Sequence, residues 1–321
     1  MSLPRPKRLY RAVELERQAE EPSLTGADTI TDIISFLTLL FQLDVHTFSD
    51  PFHPESWPAW AGEGGTFSVR QFQLQFDDLG FNQDDTYDDG RPMRGGNISK
   101  GHRITIKHVA VDSNDLRFPD LATTQILKPL VQELRVLAHP PLRDHPNIID
   151  LFGVAWEKQL GVLGKHWPTL VIEYASGGNL MEYLTSDQNE IPWSECLSIA
   201  GHIAAGILSL HRCGVVHTDL KPENVLMVMG NMGHCVAKIS DFAFCIIKSD
   251  YHQAEPLPSS LVQLTGCTPR WLAPEGRKGR VLLYQAHMLD VYAFGLIFAT
   301  IVMRGQDPFA IDVSSHLFLL A

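Results

Sequence analysis

The sequence predicts an α+β protein in which a small β-rich lobe precedes a larger, mainly helical one. Three observations carry this. Between Trp57 and Tyr174, short apolar or alternating runs dominate, with one stretch of helical spacing among them. After Gly178 the apolar residues recur at three- and four-residue intervals. With 321 residues, 45% of them hydrophobic, the chain suffices for one large domain or two ordinary ones and is too apolar to be wholly disordered.

Taken in order, residues 1–56 read as a leader. Arg11 to Glu21 mixes both charges at helical spacing, and Thr31 to Leu43 carries an apolar face. Pro51, Pro54 and Pro58 then mark a boundary. Residues 57–321 form the main domain, with a first lobe over 57–174 and a second over 175–321. Trp57 to Gln75 reads as strand, Gly-rich turn and strand. Residues 77–96 hold six Asp before the first Arg and end in Gly95-Gly96, the pattern of a solvated acidic insertion. Arg103 to Val111 is strand-like, Leu121 to Ala138 helical, and Ile148 to Glu157 and Thr169 to Tyr174 are short apolar strands. Helices follow at Leu180 to Thr185 and Trp193 to Arg212, the latter with Leu197, Ile199, Ala200, Ile203, Ile207, Leu208 and Leu210 as its apolar residues.

Bulk chemistry excludes some functions. The net charge is −11, which argues against a protein that coats nucleic acid, and six of those negative charges lie between Asp77 and Asp89. Five Cys without a C-x-x-C pair suggest neither a disulfide framework nor a zinc site. Free thiols in a reducing, cytoplasmic setting are expected. Met1 to Tyr10 lacks the apolar run of a signal peptide. Ile33 to Phe41 and Val291 to Met303 fall short of a bilayer's ~20 apolar residues, so no membrane span is expected.

The chemistry concentrates in His217-Thr218-Asp219-Leu220-Lys221-Pro222-Glu223-Asn224, between a long helix and a short strand. Asp219 can accept a hydroxyl proton, Lys221 can neutralise a phosphate, and the Asn224 oxygen can hold a hard cation. A second carboxylate, Asp241, follows the strand that ends at Ile239-Ser240. Two oxygen ligands from neighbouring loops suit Mg²⁺, which takes its remaining ligands from waters and nucleotide phosphates.

This loop resembles the H-R-D-x-x-x-x-N catalytic loop of eukaryotic-type protein kinases, and Asp241-Phe242-Ala243 resembles their D-F-G. His145-Pro146-Asn147-Ile148, Ala273-Pro274-Glu275 and Asp290-Val291-Tyr292-Ala293-Phe294-Gly295 stand in the family's order. The resemblance implies a two-lobed protein-kinase-like fold with ATP and Mg²⁺. It makes Asp219 and Lys221 catalytic, and Asn224 and Asp241 the metal ligands. Gly62 and Gly64 would lie in the Gly-rich loop over the nucleotide, and Lys107 of Ile104-Thr105-Ile106-Lys107 would grip the α- and β-phosphates with Glu133 as its ion-pair partner. Glu173 and Ala175 would meet the adenine edge, with Ile172 as gatekeeper, while Val69 and Leu226 would sandwich the base. Leu137, Leu151, His217 and Phe242 would stack as a regulatory spine. Lys221 and the run Thr268 to Glu275 resemble the serine/threonine class, which implies a protein partner with a Ser or Thr acceptor.

Several positions depart from the family pattern. Phe67 takes the place of the third loop glycine, Thr105 of an alanine on the adenine, and Ala243 of the DFG glycine. Thr218 replaces the arginine that pairs with a phosphorylated activation loop, so activation by that route is disfavoured although Ser249, Ser259, Ser260 and Thr265 are available. The helical lobe is also expected to be incomplete, because the family continues past Gly305-Gln306-Asp307-Pro308-Phe309 with an arginine that pairs with Glu275. An unpaired Glu275 in an uncovered core is the expected consequence. The alternative to an active enzyme is therefore a catalytically impaired, kinase-like ATP-binding or interaction module.

Overall fold

The computed structural model describes residues 30, 32–48, 60–63, 67–73, 103–109, 119–158, 166–186, 191–229, 235–251 and 260–309. Expectations for Arg11 to Glu21, the acidic insertion, Gly64, Ser259 and residues 310–321 lie outside these. The chain divides into two compact units. One takes in Ser23–Asp144 and Ile149–Tyr174, and the other His145–Ile148 and Ala175–Ala321.

The first unit is built on an antiparallel sheet of β1 (Trp60–Glu63), β2 (Phe67–Gln73), β3 (Arg103–Val109), β4 (Leu151–Lys158) and β5 (His166–Glu173), in the spatial order β1-β2-β3-β5-β4. β3 is central, and Ile104 through Lys107 are buried on both faces. Two of its helices among the described residues are longer than one turn, α1 (Ile33–Gln42) and α2 (Pro119–Ala138). On α2 the buried residues Leu127, Leu130, Val131, Leu134 and Leu137 follow helical spacing, as the sequence predicts.

The helix expected within Thr31 to Leu43 is α1, started by Asp32 and Ser35 in a reciprocal capping box. Its inward stripe is Phe36, Leu39 and Leu40, and the Phe36 ring meets Trp156 of β4 edge-on at 6.2 Å. The chain then runs beside β4. The Val154 N–H donates to the His46 carbonyl and the Phe48 N–H to the Val154 carbonyl, each at 2.9 Å. An edge strand presents unpaired backbone groups that water or another chain must satisfy. Here residues 46–48 satisfy part of the free edge of β4.

The second unit is mainly helical. It contains α3 (Leu180–Thr185), α4 (Trp193–Arg212) and α5 (His287–Val302), with three short strand pairs. β6 (Val215–Val216) pairs with β9 (Ile246–Ile247), β7 (Val225–Met229) with β8 (Cys235–Ile239), and β10 (Leu261–Gln263) with β11 (Arg280–Leu282), all antiparallel. α4 buries Ile199, Ala200, Ile203, Ile207 and Leu210, but Leu197 and Leu208 are exposed because they lie off that stripe. Asn147 ties this core together, its side-chain amide donating to the Ala237 carbonyl at 3.1 Å and its carbonyl accepting from Ile239 at 2.9 Å.

One sequence expectation needs correction here, and one gains a detail. The apolar stretch at Val291 belongs to a helical run, Leu283–Val302, that is long and apolar enough to cross a bilayer by length and composition, as is Trp193–Arg212. Each also buries a face in the unit's core, through Leu289, Ala293, Ile297 and Ile301 in one case and Ile199, Ile203 and Leu210 in the other. Glu275 is exposed on the turn Pro274–Lys278, so it carries no buried-charge penalty.

Gly153 marks the approach of residues 46–48 to β4. A Cβ there would lie 2.5 Å from the His46 carbonyl oxygen and 2.8 Å from the Phe48 ring. Gly153→Ala is expected to destabilise the protein by about 1–3 kcal/mol. Thermal unfolding measures the loss, and limited proteolysis should show earlier cleavage around Val45.

Candidate active site

The loop His217–Asn224 connects β6 to β7, and buried groups hold each end of it. Asp290, in the first turn of α5, is 1% exposed. Its carboxylate accepts the His217 N–H at 2.8 Å and the Thr218 N–H at 2.9 Å. His211 Nε2 approaches the same carboxylate at 2.8 Å and must donate, since an ionised carboxylate only accepts. Thr218 takes the left-handed conformation, φ 67°, which a β-branched residue adopts only when its surroundings demand it.

His217 is fully buried against Phe242, ring centroids 5.3 Å apart. The Asp219 N–H donates to its Nδ1 at 3.3 Å, which leaves Nε2 as the protonated nitrogen, donating to the Ser240 carbonyl at 2.9 Å. The ring thereby couples the loop to the residue before Asp241. Asp241 itself adopts φ 68°. A second link joins the same two stretches, from the Ser240 N–H and hydroxyl to the Asn224 carbonyl at 2.9 and 3.1 Å.

Asp219, Lys221 and Asn224, brought together as the sequence predicts, form one cluster. Asp219 Oδ1 accepts the Thr268 N–H at 2.6 Å, and Oδ2 accepts Lys221 Nζ at 2.9 Å. Lys221 also donates to the Thr268 hydroxyl at 2.8 Å. The Asn224 amide nitrogen donates to the Asp219 carbonyl at 2.7 Å and to Oδ2 at 3.3 Å. Those bonds orient the amide, leaving Asn224 Oδ1 as its acceptor. Asn224 Oδ1 and the Asp241 carboxylate are both hard oxygen donors, the ligand chemistry that Mg²⁺ takes alongside phosphate and water. Cys267 lies beside Asp219, and burial together with the Asp219 charge pushes its thiol pKa up, so it is a poor nucleophile at neutral pH.

In the first unit Lys107 and Glu133 meet as predicted. Lys107 Nζ lies 2.8 Å from both Glu133 oxygens, with side chains 5% and 0% exposed. Lys107 stands on the central strand, in register with Val69 on one side and Leu170 on the other. Gly62 pairs with Val69 across β1 and β2. Glu173 closes β5, its N–H bound to the Asp150 carbonyl at 3.0 Å. Ala175 opens the main stretch of the second unit and accepts the Gly178 N–H at 3.1 Å, while Leu226 is half-buried on β7 opposite Lys238.

Asp290 and Thr268 carry contacts that sequence reasoning did not assign. Each lies within a motif read from the sequence, and Asp290 is a lone acid at the head of an apolar run, which is the signal that marks it. The segment after α5 is also anchored. Asp307 pairs with Arg270, and Phe309 meets the Trp271 ring at 6.2 Å while the Arg270 guanidinium lies over it.

A buried Lys–Glu pair in one unit and an Asp–Lys–Asn loop in the other, within an α+β chain, are the features that the sequence resemblance leads one to expect. The chain belongs to the protein kinase family, whose protein kinase domain matches residues 90–318. It is 30% identical over 207 residues to a probable serine/threonine-protein kinase of Dictyostelium discoideum, covering 64% of this chain and 19% of that protein. It is likewise 30% identical over 228 residues to the serine/threonine-protein kinase SIK1 of Rattus norvegicus, covering 70% of this chain and 26% of that one. The probable serine/threonine-protein kinase KCC4 of Saccharomyces cerevisiae is 31% identical over 168 residues, 52% of this chain and 14% of that protein. The chain therefore spans about a quarter or less of the length of these relatives.

Three substitutions test how the buried charges of each unit are held. Lys107→Met leaves the Glu133 carboxylate buried without its ammonium, with an expected cost of about 3–5 kcal/mol that Glu133→Leu in the same chain should largely reverse. Denaturant unfolding of the single and double variants measures both. Asp290→Asn sets an N–H₂ against one of the backbone N–H donors and is expected to cost about 1–3 kcal/mol by the same measurement.

Proposed function

We propose that this chain is an active serine/threonine protein kinase, transferring the γ-phosphoryl group of ATP to a Ser or Thr hydroxyl of a protein inside the cell. The observation that supports this best is the geometry of the Asp219 carboxylate, buried and oriented by Thr268, Lys221 and Asn224. Each carboxylate oxygen has two lone-pair sites, so Oδ1 can accept a substrate hydroxyl while holding the Thr268 N–H.

In this reading Asp219 takes the hydroxyl proton as that oxygen forms its bond to the γ-phosphorus. The bond from the γ-phosphorus to the bridging oxygen breaks, and ADP leaves with that oxygen. Lys221 offsets charge on the transferring group. Asn224 and Asp241 would hold Mg²⁺, which shields the phosphate oxygens, and Lys107, fixed by Glu133, would bind the α- and β-phosphates. Gly62, Gly64, Val69, Glu173, Ala175 and Leu226 are proposed to form the rest of the nucleotide site.

The test is phosphate transfer from Mg-ATP to a generic protein substrate carrying both Ser and Thr. Asp219→Asn is expected to lower kcat by about 10²–10⁴ while nucleotide-induced thermal stabilisation persists. Asn224→Ala should raise the Mg²⁺ concentration needed for half-maximal rate. If the unmodified chain and Asp219→Asn transfer phosphate equally poorly, the enzyme reading is wrong; retained nucleotide stabilisation would then identify a binding module.

A further inference from the structure

We propose that Phe244 and Gly266 are positioning residues: the Phe244 ring, lying on the bare backbone of Gly266, sets the distance of Thr268 from Asp219. This role rests on the kinase reading above. A Cβ on Gly266 would stand 2.6 Å from Phe244 Cγ and nearer still to Cδ1 and Cε1. Two carbons in ordinary contact lie about 3.5–4.0 Å apart, so the chain at this point meets the ring where only glycine fits.

The ring is fixed at its root. The Phe244 carbonyl accepts the Thr218 hydroxyl at 2.8 Å, and the Asp290 carboxylate holds the Thr218 N–H at 2.9 Å. The Cys245 N–H donates to the Phe242 carbonyl at 3.2 Å, and both residues are buried. Ile246 then pairs with Val216. Because the close atoms include Cγ, turning the ring about its own axis does not clear the space.

The facing stretch is pinned on either side of Gly266. Two residues before it, the Leu264 N–H donates to the Gly279 carbonyl at 2.8 Å, and Leu264 joins the buried cluster of Val216, Ile246 and Val262. Two residues after it, the Thr268 N–H donates to Asp219 Oδ1 at 2.6 Å and the Thr268 hydroxyl accepts Lys221 Nζ at 2.8 Å. A side chain at 266 would push this stretch off the ring by about an ångström. A bond of 2.6 Å lengthened by that much no longer orients Asp219. Phe244 and Gly266 thus act through Thr268 on the groups that serve the acceptor hydroxyl, and their effect falls on kcat.

The experiment compares phosphate transfer from Mg-ATP to a generic protein substrate by the full chain and three variants, with rates taken per folded protein. Gly266→Ala is expected to lower kcat about 10- to 100-fold with the KM for ATP unchanged. Phe244→Ala should lower kcat about threefold. The double variant should stay within about twofold of Phe244→Ala, because the added methyl enters the space the ring has left. Losses that multiply in the double variant overturn the proposal, as does an unmodified kcat in Gly266→Ala. Hydrogen exchange gives a readout independent of turnover. The Thr268 amide is expected to exchange about tenfold faster or more in Gly266→Ala while the Leu264 amide stays as it was. No change at Thr268, or equal acceleration at both amides, overturns the proposal. Should Gly266→Ala not fold, the same comparison on Phe244→Ala decides, with unchanged exchange at Thr268 counting against the ring. If the unmodified chain transfers no phosphate, the kinase reading fails, and the exchange measurement alone decides whether the ring sets Thr268.

Discussion

Three hydrogen bonds converge on the buried carboxylate of Asp290, and the geometry of the loop His217–Asn224 follows from them. A charge this deep needs donors, and it finds them in the His217 and Thr218 backbone and the His211 ring. Those bonds hold Thr218 in its left-handed conformation and deliver His217 to the Ser240 carbonyl. From there the links run through Asn224 to Asp219, and through Asp219 to Thr268. Polar groups supplied by α5, the loop and the segment after β10 are thus set by one chain of bonded atoms. Such a network is rigid only when every member is satisfied, which gives the placement of Asp290 its weight.

The first unit solves the same problem with an ion pair. Lys107 stands on the central strand, where backbone pairing on both sides fixes its position, and Glu133 reaches it from α2 with both oxygens. Neither charge is tolerable there without the other. The extension through α1 and residues 46–48 completes this unit by covering one edge of its sheet. Gly153 is the residue that allows the close approach.

Much of the architecture was legible because it rests on local signals. Strand alternation, the stripe of α2 and the spacing of Asp219, Lys221 and Asn224 are contained within short windows, and each stands where the sequence predicts it. Leu197 and Leu208 were less legible: apolarity alone does not say which side of α4 meets a partner. Glu275 looked like a buried charge because its family partner was sought, while the turn that carries it faces outward.

The sequence by itself determined the order of elements, the identity of the acid–base, charge-neutralising and metal-binding candidates, and the substitution of Thr218 for a cation. Those depend on residue type and spacing, which are local properties. Tertiary structure alone decided what those residues touch. Asp290 and Thr218 are 72 positions apart, Thr268 and Asp219 are 49 apart, and Lys107 and Glu133 are 26 apart. No periodicity in the chain connects such pairs. They meet because burying the apolar faces of the sheet and helices leaves their polar groups no solvent, and each must then find its partner across the core.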